Sequence, residues 1–280
     1  MKRLVGAALL VAAVGYAAVR TLVVPRAEAW SVVAADADGA LFWTWLSVAN
    51  TGLLDDQLTT RVLLLPAGPG VIEHRAQWGP AVLDATGVAS GADSLRDDGA
   101  AWQLRVGGGG LGARAEIRGA AAGCPPEVGE LRGVVEDRTD GRLLTGPGLV
   151  VRTRVEGHPA GAALYVLGPG FSAGIEPLSD CGAWVRARDP AGGERTWTGA
   201  ASDFPVARGT VLTLGDWTLT FRSAGDAVAQ DGWAHALAAE RLVARLFGFR
   251  PPVAEARRAV VRVEGPGVAT LAPALVVRRL

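Results

Sequence analysis

The side chains that could carry chemistry are few and scattered. Three histidines occur, His74, His158 and His235, and none stands in the HxH, HxxxH or HExxH spacing that places two imidazoles on one metal. No metal ligands are therefore assigned. His74 has the most suggestive setting, because Glu73-His74-Arg75 follows a Pro-Gly turn and precedes Trp78. A polar cluster beside an aromatic could line a pocket, and the plainer reading is a solvated loop. Paired acids stand at Asp36/Asp38, Asp55/Asp56 and Asp97/Asp98, beside glycine or at the head of polar stretches, where aspartate is favoured because its carboxylate accepts from nearby backbone N–H groups. Only Asp36 and Asp38 lead into an apolar stretch (Phe42, Trp43, Trp45) whose surroundings would suit acid catalysis. If the chain is an enzyme, Asp36, Asp38 and His74 are its candidate catalytic residues. No serine sits in a G-x-S-x-G elbow, and the glycine run Gly107 to Gly112 lacks the GK[ST] ending of a phosphate loop. No cofactor is expected.

The stronger signal is aromatic. There are nine tryptophans against two tyrosines, more than turns or surface need. Most must be core, but a β-barrel with surplus aromatics can leave some lining a cavity for an apolar ligand. Phe42, Trp43, Trp45, Trp102 and Trp217 are the expected lining; the competing expectation is a solid two-sheet core in which the same residues simply pack.

These residues sit on strands. Trp102 to Val106 and Ala113 to Arg118 alternate strictly on either side of the glycine run, which predicts a hairpin. Thr210 to Leu214 passes through Gly215-Asp216 into Trp217 to Arg222, a second hairpin. Further strands are expected over Leu41 to Ala49, Leu58 to Leu65, Leu149 to Glu156, Ala162 to Leu167, Ala183 to Arg188 and Ala259 to Glu264. Leu41 to Ala49 is apolar on both faces, as in a strand covered on both sides. The pattern predicts an all-β protein of antiparallel barrel or sandwich units, with one amphipathic helix over Asp231 to Phe247. The Gly146-Pro147-Gly148 segment reads as the boundary between a first β unit, residues 30–146, and a second, residues 147–280.

Residues 1–29 carry a different message. Lys2 and Arg3 precede an uncharged apolar run from Leu4 to Val19, and Ala27-Glu28-Ala29 would suit cleavage before Trp30. With Thr21 to Val24 added, residues 4–24 could instead span a bilayer of about 30 Å at ~1.5 Å per residue. Signal peptide and anchor both fit; either exports the rest of the chain, to the periplasm or another extracytoplasmic space, and an anchor would hold it to the inner membrane. Twenty-eight basic residues balance twenty-eight acidic ones, so no net field draws the body to nucleic acid. The two cysteines, Cys124 and Cys181, form an even pair in an oxidising compartment: a disulfide candidate, or two separate buried thiols.

The Trp30 start, the Asp36-Ala37-Asp38-Gly39 turn feeding an aromatic strand, the central W-x-L-x-V hairpin and the G-x-G-[FW] element Gly168-Pro169-Gly170-Phe171 together resemble the tandem lipocalin-like proteins related to carotenoid 1,2-hydratase, over residues 30 to about 225. The resemblance implies a lipocalin-like fold and a polyene or terpenoid substrate. Family members continue the last element with acidic and histidine residues, where this chain has Ser172-Ala173-Gly174. The expectation is therefore an exported, membrane-proximal β protein that binds an apolar, lipid-like molecule or a partner protein without catalysis. The alternative is a cofactor-independent hydratase or isomerase of a polyene or terpenoid.

Overall fold

A computed structural model describes Gly15 and residues 26–49, 57–67, 70–108, 111–137, 141–156, 161–176, 181–188, 193–199, 209–231 and 253–279. Its first sheet contains β1 (Arg26–Ala35), β2 (Leu41–Ala49), β3 (Gln57–Leu65), β4 (Ile72–Pro80), β5 (Val82–Asp84), β6 (Gly87–Ser90), β7 (Asp93–Asp97), β8 (Ala101–Gly108), β9 (Leu111–Arg118), β10 (Val128–Asp137) and β11 (Gly141–Glu156). They lie in the order β4-β3-β2-β1-β11-β10-β9-β8-β7-β6-β5, all antiparallel. The second sheet contains β12 (Gly161–Gly168), β13 (Phe171–Glu176), β14 (Gly182–Arg188), β15 (Glu194–Gly199), β16 (Val211–Leu214), β17 (Trp217–Ala224), β18 (Val228–Asp231), β19 (Val253–Gly265) and β20 (Val268–Arg279). Its order is β15-β14-β13-β12-β20-β19-β17-β16, with β18 added beside β19.

Each sheet curls around its own apolar interior. Alternation decides which residues enter it: Trp102, Leu104 and Val106 of β8 face Ile117, Ala115 and Ala113 of β9 inside the first sheet. Trp217, Leu219 and Phe221 of β17 do the same in the second. That sheet is nearly closed by its two end strands, where Trp197 of β15 packs on Trp217 at 5.5 Å between ring centroids. A third cluster lies between the sheets and joins Val33, Leu41, Trp43, Leu63, Leu65, Leu149 and Val151 to Tyr165, Leu167, Trp184, Leu275 and Val277. The two-sided apolarity of β2 has this cause: Phe42, Leu46 and Val48 point inside while Leu41 and Trp43 point into the seam.

The Gly146-Pro147-Gly148 segment lies inside β11, and the chain passes between sheets after Glu156 and before Gly161. Close approach requires glycine at Gly146 and favours it at Gly148. A Cβ on Gly146 would lie 2.1 Å from the Ala35 carbonyl oxygen, and one on Gly148 3.0 Å from the Leu131 side chain. Ala27-Glu28-Ala29, read above as suited to cleavage, lies in the first part of β1. Cys124 and Cys181 are disulfide-bonded, tying the loop before β10 to the start of β14. The expected helix lies outside the described residues except for Asp231, which ends β18. The apolar N-terminal segment is likewise outside them, Gly15 excepted. Among the described residues no helix is long and apolar enough to cross a membrane.

The β5–β6 turn carries a pH-sensitive contact. Asp84 accepts from the Thr86 hydroxyl at 2.6 Å and N–H at 2.9 Å, and from Arg96 at 2.6 Å. The Thr86 hydroxyl, then Arg96, hold its carboxyl down from 3.8 to about 2. A depressed pKa stabilises the fold above the unfolded value, and that contribution fades as pH falls through the folded value. Asp84→Asn should therefore lower the melting temperature at neutral pH, the gap from the parent narrowing between about pH 4 and pH 2; a constant gap would assign the loss to packing.

Candidate functional site

The first sheet's interior gathers polar groups into an apolar enclosure. Thr44 of β2 stands opposite Val62 of β3, which stands opposite His74 of β4. Facing residues in an antiparallel ladder point the same way, so Thr44 and His74 share the interior face with Val62. Thr60, two residues from Val62 on β3, shares it as well. Thr44 and Thr60 are fully buried. Neither hydroxyl, nor Nε2 of His74, has a hydrogen-bond partner among the described residues. The buried indoles of Trp30 and Trp102 complete the set, with ring centroids 5.1 Å apart and both Nε1–H groups also without a partner there. Phe42 packs in the same cluster.

One end of this interior is ringed by charge. The Arg152 guanidinium lies 4.8 Å from the Trp30 ring centre and pairs with Glu28; Arg154 pairs with the other Glu28 oxygen at 3.2 Å. At the opposite end is the β1–β2 turn. Asp36 accepts there from the Ala40 N–H at 2.8 Å and pairs with Arg142 at 2.6 Å, while Asp38 is solvent-exposed, 3.8 Å from Arg142. The aspartates thus hold a turn, and the structure joins them to Arg142 rather than to His74.

The five aromatic residues singled out from the sequence fall in three places. Phe42 and Trp102 line the first interior and Trp217 the second, whereas Trp43 belongs to the seam and Trp45 packs against it. Sequence reasoning passed over Trp30, Thr44 and Thr60, whose only signal is cross-strand register.

The seam holds a second polar group that the sequence did not reveal. The Tyr165 hydroxyl donates to Glu176, both buried. On the same face of β13, Ser172 is fully buried, and the Trp184 ring lies over Gly174, so close that a Cβ there would sit 2.2 Å from it. Neither the Ser172 hydroxyl nor the Trp184 Nε1–H has a partner among the described residues. Across the seam, fully buried Arg61 pairs with Glu73 at 2.7 Å, reaches the Ala229 carbonyl at 3.3 Å and lies 5.9 Å from the Trp43 ring centre. Among the described residues no three His, Cys, Asp or Glu side chains cluster as a metal site.

No known protein family model matches the chain, and no curated protein matches it. Solved structures do. The fold is similar to that of a candidate AttH from Nitrosomonas europaea, with a TM-score of 0.55 at 13% identity, covering 90% of this chain and 92% of that one. It is similar to kievitone hydratase from Nectria haematococca, with a TM-score of 0.51 at 7% identity over 90% and 88% of the two chains. It is also similar to CghA, determined with Sch210972, with a TM-score of 0.51 at 10% identity over 91% and 88%. At such identities the likeness is one of fold, and it agrees with a lipocalin-like β-barrel architecture.

Proposed function

We propose that the chain is an exported protein, held at a membrane, that binds an apolar small molecule bearing a hydroxyl or carbonyl inside its first sheet, without converting it. One observation carries the reading: Thr44, Thr60, His74, Trp30 and Trp102 present polar atoms, without partners among the described residues, to one aromatic interior. A buried polar group without a partner costs about 1–3 kcal/mol, and such positions are ordinarily met by water or ligand. The set consists of hydroxyl, indole and imidazole groups with no carboxylate among them, so it suits an oxygenated molecule whose remainder is apolar. A partner protein has less to recommend it, since among the described residues the exposed large apolar side chains, Val71, Val82, Leu143, Val211 and Leu271, stand on five different segments.

Titration with a lipid or polyene extract tests this. Saturable quenching of tryptophan fluorescence and a rise in melting temperature are expected. Thr60→Val should stabilise the unliganded protein by about 1 kcal/mol, because it removes an unpaired hydroxyl, and weaken binding about five- to tenfold. No quenching by any component, with Thr60→Val neutral in stability, would leave only a packed core.

A second reading is a cofactor-independent hydratase or isomerase. The buried Tyr165–Glu176 pair beside Ser172 and Trp184 favours it, in a fold shared with a kievitone hydratase. Recovery of a chemically altered ligand from the same titration would move the function there, with Glu176 and Tyr165 the first residues to substitute.

A further inference from the structure

The polar groups of the first interior are spread along one wall instead of gathered at one end, and cross-strand register fixes their places. Thr44, Val62 and His74 stand side by side on β2, β3 and β4. Neighbouring strands lie about 4.8 Å apart, so roughly 10 Å of sheet separates Thr44 from His74. Thr60 is one same-face step along β3 from Val62, about 7 Å, and shares its rung with Leu46 and Trp30. It therefore stands roughly 10 Å of sheet from Trp30 as well. A hydrogen bond reaches about 3 Å, so one ligand oxygen cannot meet all four groups.

The facing wall is of another kind. Trp30 meets Trp102 of β8, and β4 lies against β6 and β9, so the curled sheet sets β1 to β4 across from β6 to β9. From that side Val88, Leu95, Leu104, Val106, Ala115 and Ile117 enter the interior. The buried carboxylate there, Asp93, sits at the head of β7 and accepts from the Gly107 N–H at 3.1 Å. Polar and apolar walls thus run lengthwise past each other. A long-chain lipid with one polar head would meet one of the groups on the polar wall and leave Thr44, Thr60 or His74 facing hydrocarbon.

Resting on the reading of this interior as a ligand site, we infer that its ligand is oxygenated at two or more positions along one edge and apolar along the other, as a steroid diol is, and is not a lipid with a single polar head. Thr44, Thr60 and His74 determine that specificity.

Calorimetric titration of the full chain in mild detergent tests it, with three probes: androstanediol, hydroxylated at both ends of its rigid ring system, its mono-ol androstanol, and hexadecanol. The diol is expected to bind about tenfold tighter than either single-headed probe. Thr44→Val and Thr60→Val keep side-chain volume and remove one hydroxyl each; each should reduce the preference, and the double variant should bind diol and mono-ol alike. Equal binding of diol and mono-ol by the parent chain, a preference that the double variant retains, or binding of a lipid or polyene extract with none of the diol would overturn the inference and leave the ligand site standing. Binding of neither extract nor any probe defeats the ligand site itself, and this inference with it.

Discussion

A chain made to begin at Trp30 should unfold at a much lower urea concentration than one beginning at Arg26. The deleted residues look dispensable by composition, but they occupy a central strand between β2 and β11. Their removal strips backbone hydrogen bonds from both neighbours at about 0.5–1.5 kcal/mol each. It also uncovers Trp30, which is only 1% exposed in the intact fold, and leaves Arg152 and Arg154 without Glu28. Together these are a large share of the total stability of about 5–15 kcal/mol of an ordinary domain. Urea unfolding of the two chains measures it. Glu28→Gln in the longer chain should cost much less, because partly exposed ion pairs are worth about 1 kcal/mol or less. Equal midpoints for the two chains would show that β1 begins, energetically, only at Trp30.

How much of this was legible beforehand differs by element. The hairpins β8–β9 and β16–β17 could be read because their strands alternate strictly and their connections are turn-forming; Gly215 indeed takes a positive φ of 56°. The first part of β1 was hidden because Arg26-Ala27-Glu28-Ala29 has the composition of a leader's end. β20 was hidden by Pro273, which ordinarily argues against a central strand. It is tolerated because the pairing of β20 with β12 ends at Ala274, so Pro273 faces only β19. Gly146 and Gly148 have turn composition, yet they lie within a strand, where the Ala35 backbone leaves Gly146 no space for a side chain and the Leu131 side chain crowds Gly148.

The site was harder to read than the fold. Period-two alternation tells which residues share a face but not which face is enclosed, and β2 is apolar on both. Phe42 and Trp43 therefore entered one predicted lining although they point into different clusters. Thr44 and Thr60 look like ordinary strand residues until register places them beside His74. The Tyr165–Glu176 pair had a readable trace: a hairpin closed by Gly168-Pro169-Gly170 sets Tyr165 opposite Gly174, with Glu176 two residues along the same face.

Reduction of the Cys124–Cys181 bond should lower stability by about 4 kcal/mol while leaving the two sheets docked. The bond closes a loop of 57 residues, for which the chain-entropy relation gives a value of that size. It also joins sheet to sheet, so a larger effect would be expected if it were their main tie. The seam argues against that. Leu41, Trp43, Leu63, Leu65 and Leu149 are buried against Tyr165, Leu167, Trp184 and Leu275, and burying an aliphatic or aromatic side chain contributes about 1.5–3 kcal/mol. Several such residues outweigh one cross-link. Polar ties reinforce them: Arg186 pairs with Glu127 at 3.2 Å, and Arg258 donates to the Gly39 carbonyl at 3.2 Å. Cys124 is exposed, so mild reductant should reach the bond without prior unfolding. The expected result is a lower denaturant midpoint with unchanged near-ultraviolet circular dichroism from the seam tryptophans under native conditions, and the Cys124→Ser/Cys181→Ser double variant should behave alike. Loss of that tryptophan signal on reduction would show instead that the disulfide, and not the apolar seam, holds the sheets together.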